Sequence, residues 1–324
     1  MDRTEGPACA EVTAAAEGQR LDRFLAEVTG VPRNQVRRWI EDGRVRIRER
    51  VVAKPSFSLE AGQQVRWQPP EPTAGDPRVQ PEEGPLEILL EDEHLVVVDK
   101  PAGLVVHPGA GNPTGTLAHR LLARYPEMAT VGGSGRPGIV HRLDHGTSGV
   151  MVVARTAAAY QGLSEAFARR RVKKVYLAVV YGIPKGNEGR IDSPIGRHPH
   201  RRKEMAVRAS GRPARTSYRV RDSGEGLALL EVDLGTGRTH QIRVHLKSIG
   251  HPLVGDPTYG ENRWKSQPRS RQQRLRLFRR PALHAWRLSF EHPVSGRPVE
   301  VACPAPGDLR ALWREAARRP WPEI

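Results

Sequence analysis

The chain has 324 residues with 52 Lys and Arg against 36 Asp and Glu, a formal net charge of +16 that calls for an anionic partner. Its two cysteines, Cys9 and Cys303, are too few for a disulfide framework or a cysteine-built metal cluster. No apolar run reaches membrane-spanning length, and Met1-Asp2-Arg3-Thr4-Glu5 is too polar for a secretory signal, so a soluble, cytoplasmic protein is expected.

Residues 1–16 read as a flexible tail. From Gly18 onward Leu21, Phe24, Leu25 and Val28 recur at helical spacing and predict a first helix. A turn at Gly30-Val31-Pro32 follows. The second helix has Val36, Trp39 and Ile40 inside, Arg33, Arg37 and Arg38 on its other side, and Gly43 as its stop. Short strands are expected at Val45-Arg46-Ile47 and Val65-Arg66-Trp67. The three arginines are either RNA contacts or a solvated helix face. The order Arg20-Leu21-Asp22-Arg23-Phe24-Leu25, Arg37-Arg38-Trp39-Ile40, Gly43-Arg44-Val45, Lys54-Pro55-Ser56 and Gly62 resembles the S4 RNA-binding module, over residues 17–68. Arg48-Glu49-Arg50 stands where many such modules carry an Asn-Gly turn, so the local hairpin lacks its usual signal.

Residues 69–85 are rich in Pro, Gly and Glu and read as a linker. Strand signals resume at Leu86-Glu87-Ile88-Leu89-Leu90 and Leu95-Val96-Val97-Val98-Asp99, with a turn at Lys100-Pro101-Ala102-Gly103. The loop Gly138-Ile139-Val140-His141-Arg142-Leu143-Asp144-His145-Gly146-Thr147-Ser148-Gly149 then runs straight into the apolar strand Val150-Met151-Val152-Val153-Ala154. A strand-anchored loop holds a reactive group rigidly while leaving it exposed.

Tyr160, Leu163 and Phe167 follow at helical spacing, before the basic run Arg169-Arg170-Arg171. In the strand Val175-Tyr176-Leu177-Ala178-Val179-Val180-Tyr181, Val175, Leu177 and Val179 share one face and Tyr176 takes the other. The strand Leu229-Leu230-Glu231-Val232-Asp233-Leu234 leads through Gly235 and Gly237 into a helix at about 239–249. Ile242, Leu246 and Ile249 would form its buried stripe, with Arg243 beside it. The basic stretch 261–281 is either an RNA-contacting loop or a disordered excursion. Strands with occasional helices and no βαβ rhythm predict an α+β fold over residues 86–318, with a mixed, mostly antiparallel central sheet and flanking helices.

Cofactor and hydrolase signals fail. Gly235-Thr236-Gly237 runs into Arg238-Thr239-His240 with no third Gly, and no Walker Lys-Ser/Thr element exists. His240 and His245 do not share a helix face and no carboxylate sits at the zincin position, so no metal is expected. Ser148, near His141 and Asp144, lacks a G-x-S-x-G elbow. What remains is Asp144, Tyr176 and Arg243, each near a strand end or helix start. An Arg can aim a carboxylate, and a Tyr can stack on a base and take part in proton transfer. Singly, they read equally well as a loop cap, a core side chain and a phosphate contact.

Their flanks are more specific. His141-Arg142-Leu143-Asp144 before Thr147-Ser148-Gly149, Lys174-Val175-Tyr176, Gly237-Arg238-Thr239-His240-Gln241-Ile242-Arg243-Val244-His245 and Gly255-Asp256-Pro257-Thr258-Tyr259-Gly260 resemble, in order and spacing, the RluA-type pseudouridine synthases. Leu283-His284-Ala285 through His292-Pro293 is similar to their closing segment. The resemblance implies isomerisation of uridine to pseudouridine in RNA without cofactor or metal. The N1–C1′ bond breaks, the uracil turns and it rejoins through C5. Asp144 would be the essential carboxylate, attacking ribose C1′ or removing a C2′ proton. Tyr176 would stack on the uracil and help remove the C5 proton, and Arg243 would pair with Asp144. Arg142 would enter the stack that the uridine leaves, with His141 beside it as an RNA contact.

An S4-like module in front points to large-subunit ribosomal RNA as substrate. The lack of a long apolar run argues against a membrane partner, and with no exposed apolar stripe evident a monomer is expected. Two readings of other classes stand beside this one. A ribosome-assembly protein would need only the basic surface, and a nucleic-acid glycosidase would use a second carboxylate.

Overall fold

The computed structural model describes residues 8–29, 31, 33–69, 79–109, 111–133, 135–201, 203–260 and 262–324, which fall into two units. In the first, β1 (Ala8–Glu11), β2 (Val45–Ile47), β3 (Arg50–Val51) and β4 (Gln64–Trp67) pair antiparallel in the order β1-β4-β2-β3. Two helices, α1 (Leu21–Thr29) and α2 (Arg33–Glu41), supply Leu21, Phe24, Leu25, Val36 and Ile40 to a core shared with Val45, Ile47, Val65 and Trp67. The expected stripe of α1 stops one turn early, because Val28 is 46% exposed.

The fold departs from the sequence expectations at three places in and after this unit. The expected tail, whose residues 1–7 lie outside the described residues, gives way to a strand at Ala8. Its backbone completes the edge of the sheet on β4 while only Val12 behind it is fully buried, too thin a hydrophobic signal to read. The linker also ends early. Residues 70–78 are outside the described set, but Val79 is buried in the second unit and the Glu82 carboxylate accepts the Gly115 backbone N–H at 2.8 Å. The hairpin without Asn-Gly nonetheless forms. Ile47 pairs with Arg50 across a two-residue turn whose members, Arg48 (φ 48°) and Glu49 (φ 64°), both adopt the left-handed region that this turn demands. Of the turn expected at Gly30-Val31-Pro32, only Val31 is described.

The second unit is built on a nine-stranded sheet. Its strands are β5 (Glu87–Glu91), β6 (Leu95–Lys100), β9 (Ser148–Ala154), β10 (Lys173–Tyr181), β11 (Glu188–Asp192), β14 (Arg215–Gly224), β15 (Leu227–Leu234), β16 (Leu283–Glu291) and β17 (Pro298–Ala302). Two ribbons lie apart from it, β7 (Gly132–Gly133) with β8 (Arg136–Pro137) and β12 (Ile195–Arg197) with β13 (Met205–Val207). The sheet runs β11-β14-β15-β10-β16-β9-β6-β5, with β17 on β16, and every pair is antiparallel except β16 with β9. The mixed, mostly antiparallel α+β architecture is thus the one expected.

Helices cover both faces. Val175, Leu177, Val179 and Tyr181 of β10 face α6 (Arg269–Leu277) and α7 (Gly307–Ala316) through Leu275, Leu309, Leu312 and Trp313. Tyr176, Ala178 and Val180 face the core shared with α3 (Leu117–Arg124), α4 (Ala157–Ala168) and α5 (Gln241–Ser248). The period of two therefore places Tyr176 and its neighbours in different cores.

The basic stretch 261–281 is neither a loose loop nor disordered among its described residues. It holds α6, anchored by Leu275 and Phe278 in the core, while Arg274 pairs with Glu315 at 2.8 Å and Arg280 grips Asp308 at 2.7 and 2.8 Å. A dense Arg composition hid the short apolar stripe beneath it. In α5, Ile242 and Leu246 are buried as expected but Ile249, at the C-terminal cap, is 37% exposed.

Candidate active site

The loop ahead of β9 is held from several sides. The Thr147 backbone N–H donates to the Asp144 carbonyl at 3.0 Å, turning the chain, and Gly103 donates its N–H to the His145 carbonyl at 2.8 Å. Beneath it the Lys100 ammonium, fully buried, donates to the carbonyls of Pro101 and Leu104 at 2.8 and 2.9 Å and stands 3.5 Å from that of His145. Burial pushes this ammonium down to about 7, with the nearby Asp144 charge opposing the shift. The loop then enters β9 between β6 and β16, where Gly149 lies opposite Ala285 and Ser148 Oγ meets His284 Nδ1 at 3.0 Å. Ser148 is thus tied into the sheet, away from any hydrolase triad.

Helix α5 brings Arg243 to this loop. Its Nη1 donates to Asp144 Oδ2 at 3.1 Å, and the rest of its fork is taken by Asp256, Nε to Oδ2 at 2.7 Å and Nη2 to Oδ1 at 2.8 Å. Asp256 is itself fixed by the backbone N–H groups of Thr258 and Tyr259, at 2.9 and 3.0 Å. Burial works against the guanidinium charge, but Asp256 and then Asp144 outweigh it and hold the Arg243 pKa above its ordinary value. The start of α5 is bound through Gln241, whose Oε1 accepts from Thr236 Oγ1 and Arg238 N and whose Nε2 donates to Arg215 O and Thr216 Oγ1. Buried His245 links the other end to Thr216 and to the Ser193 carbonyl. The Gly237-to-His245 motif is therefore a frame that aims one guanidinium.

Tyr176 reaches the same place from β10, just past an irregularity in its pairing with β16 between Val175 and Tyr176. Such bulges re-aim side chains beside sites. Burial, and then the Asp144 charge, push its phenol above the ordinary value, so the hydroxyl keeps its proton at neutral pH.

One cavity of about 530 Å³ joins these parts, and Asp144, Tyr176, Arg243, Arg142 and His141 all line it. Asp144 is the one carboxylate among the described lining residues, facing the cations Arg142, Arg170, Lys174, Arg238 and Arg243. Arg142 is exposed. The His141 ring stacks on Phe167 with centroids 4.5 Å apart, and its Nε2 accepts the Val152 backbone N–H at 3.1 Å. Burial pushes its pKa down to about 3, so the ring is neutral and ties the loop to the strand. Arg33, Arg37 and Arg38 lie in the N-terminal unit, exposed on α2, and do not line the cavity. Arg33 is partly occupied there, its Nη2 at 2.9 Å from the buried Asp22 carboxylate.

Sequence reasoning missed Lys100 and Asp256, although Asp256 sits inside the Gly255-to-Gly260 motif. Its Asp-Pro-Thr-Tyr setting marks a turn that caps its own backbone, a local signal, but the partner Arg243 lies 13 residues away and only folding discloses it.

Residues 94–248 match the RNA pseudouridylate synthase family, and residues 19–65 match the S4 domain. The ribosomal large subunit pseudouridine synthase D of Xanthomonas campestris pv. campestris is 46% identical over 306 residues, covering 94% of this chain and 90% of that protein. Its namesake from Escherichia coli K12 is 44% identical over 91% of this chain and 90% of its own length. Among solved structures, human RNA pseudouridylate synthase domain containing 1 superposes with a TM-score of 0.56 at 31% identity, over 71% of this chain and 90% of its own. The chain belongs to the RNA pseudouridylate synthase family and is an RNA-modifying isomerase with an S4 domain ahead of its synthase region.

Proposed function

We propose that the protein converts uridines to pseudouridine in large-subunit ribosomal RNA, with Asp144 as the essential carboxylate. The substrate rests on the names of the relatives and on the S4 domain. The observation that carries the chemistry is Asp144 as the one carboxylate among the described lining residues of a cavity that also holds five cations. A pocket of this size admits an extruded nucleoside.

The anionic uracil released when the N1–C1′ bond breaks is held by the surrounding cations. Asp144 acts on the ribose, at C1′ or on the C2′ proton, Tyr176 gives the uracil a ring to stack on as it turns, and Arg142 fills the vacated stack. C5 then bonds to C1′ and gives up its proton while the freed N1 takes one up, so the product is an isomer of the substrate. A glycosidase would want a second carboxylate in reach, and Asp256 has both oxygens committed to Arg243. The large apolar side chains exposed among the described residues are scattered rather than gathered in a stripe, which supports a monomer, and an RNA substrate of this kind supports a cytoplasmic location. No helix among the described residues is long and apolar enough to cross a membrane.

The test is RNA tritiated at uracil C5. Ribosomal RNA should release tritium without releasing free uracil, and Asp144→Asn should abolish release. Free uracil would identify a glycosidase, and an active Asp144→Asn would overturn the assignment.

A further inference from the structure

His240 is a ring at this site with no part in the chemistry proposed so far. It caps α5 from the left-handed region, φ 57°, a conformation that His and Asn tolerate better than most residues. Its Nδ1 lies 2.9 Å from the Tyr259 hydroxyl, and its Nε2 lies 4.0 Å from Asp144 Oδ2. The Tyr259 oxygen already accepts the Met205 backbone N–H at 2.8 Å, so the hydroxyl's own proton goes to Nδ1. Burial lowers the His240 pKa, with Asp144 and Asp256 opposing and Arg243 and Arg142 assisting, so the ring is neutral at neutral pH. A neutral imidazole whose Nδ1 accepts carries its proton on Nε2, the nitrogen that faces Asp144.

We propose that His240 is a positioning residue for Asp144: its Nε2–H, oriented by Tyr259, joins Arg243 Nη1 on Oδ2 and leaves the other carboxylate oxygen to act on the ribose. Both contacts fall on the same oxygen, Arg243 at 3.1 Å and His240 at 4.0 Å. The longer one is a charge–dipole contact in the open site, of a kind that shortens once substrate excludes water. The inference rests on Asp144 being the essential carboxylate.

Single-turnover tritium release at saturating enzyme, measured beside RNA affinity, tests it. His240→Asn keeps the left-handed backbone and an acceptor for Tyr259 but has no atom at the Nε2 position. It should slow release by about ten- to a hundred-fold, the worth of one hydrogen bond to a charged group, with RNA affinity and melting temperature unchanged. His240→Gln places an amide N–H near the Nε2 position and should recover most of the rate. Tyr259→Phe should slow release several-fold alone and add nothing to His240→Asn. A His240→Asn enzyme at the parent rate, one that loses affinity rather than rate, or a His240→Gln enzyme as slow as His240→Asn would overturn the proposal. Asp144→Asn, run in parallel, separates the two ideas. If it is inactive while His240→Asn is fast, only the role of His240 falls; if it is active, the reading of the site falls too.

Discussion

Asp256 holds Arg243 by two parallel hydrogen bonds, of 2.7 and 2.8 Å, and the same guanidinium reaches Asp144 with its remaining arm at 3.1 Å. A fork gripped at one end by a carboxylate that is itself pinned by backbone N–H groups has little freedom at the other end. Asp256→Asn breaks that grip without entering the cavity. Misplacement by about 1 Å costs on the order of a hundred-fold in rate, so tritium release should fall by about that factor while RNA affinity holds. Unchanged release would show that Arg243 needs no second anchor.

Gly149, φ +115°, brings β9 against β16 so closely that a Cβ there would overlap the Ala285 carbonyl oxygen and stand 2.7 Å from its backbone nitrogen. Neither is a flexible side-chain end. Gly149→Ala should destabilise the synthase unit by about 3 kcal/mol or more in urea unfolding. Gly237→Ala meets nothing within 4 Å and should stay within about 0.5 kcal/mol of the parent. Equal stability of the two variants would contradict the close strand approach.

Lys100 sets a pH dependence. Its folded pKa, about 7, lies below the ordinary 10.5, so between those values the unfolded chain binds more protons and stability rises with pH. Below the folded value both states are protonated and the cost of burying the charge is constant. Lys100→Met should flatten the stability curve between pH 7.5 and 9 by about 1 kcal/mol per pH unit, read from denaturant midpoints across that range. Parallel curves for the two proteins would place the Lys100 titration elsewhere.

The three α2 arginines should separate. Arg37 and Arg38 are exposed, and replacing both with Gln should weaken RNA binding and lower its salt slope by about one for each phosphate no longer neutralised, leaving the rate at saturation alone. Arg33 also pairs with buried Asp22, whose carboxyl is held below its usual range by Arg20 and Arg33 against the effect of burial. Arg33→Gln should therefore also cost the N-terminal unit about 1 kcal/mol in thermal unfolding, discounted because the guanidinium is half exposed. Equal stability and equal loss of salt slope per arginine in the two variants would remove that distinction.

Local patterning by itself determined the α+β class, the opposed faces of β10 that bring Tyr176 to the cavity side, and the motif blocks that carry Asp144, Tyr176 and Arg243. Those are matters of period and of short-range residue order, which the chain displays directly. Where the signal was weak or swamped, reading failed. The edge strand at Ala8–Glu11 is held by backbone bonds, and the stripe of α6 lies under arginines. Tertiary structure alone decided that Asp256 anchors Arg243, that Lys100 lies beneath the Asp144 loop, that His141 braces against Phe167 and that His240 turns its ring toward Asp144. Each is a contact between segments distant in the chain, formed because burial leaves a charge or ring nitrogen no partner but the one the fold brings to it.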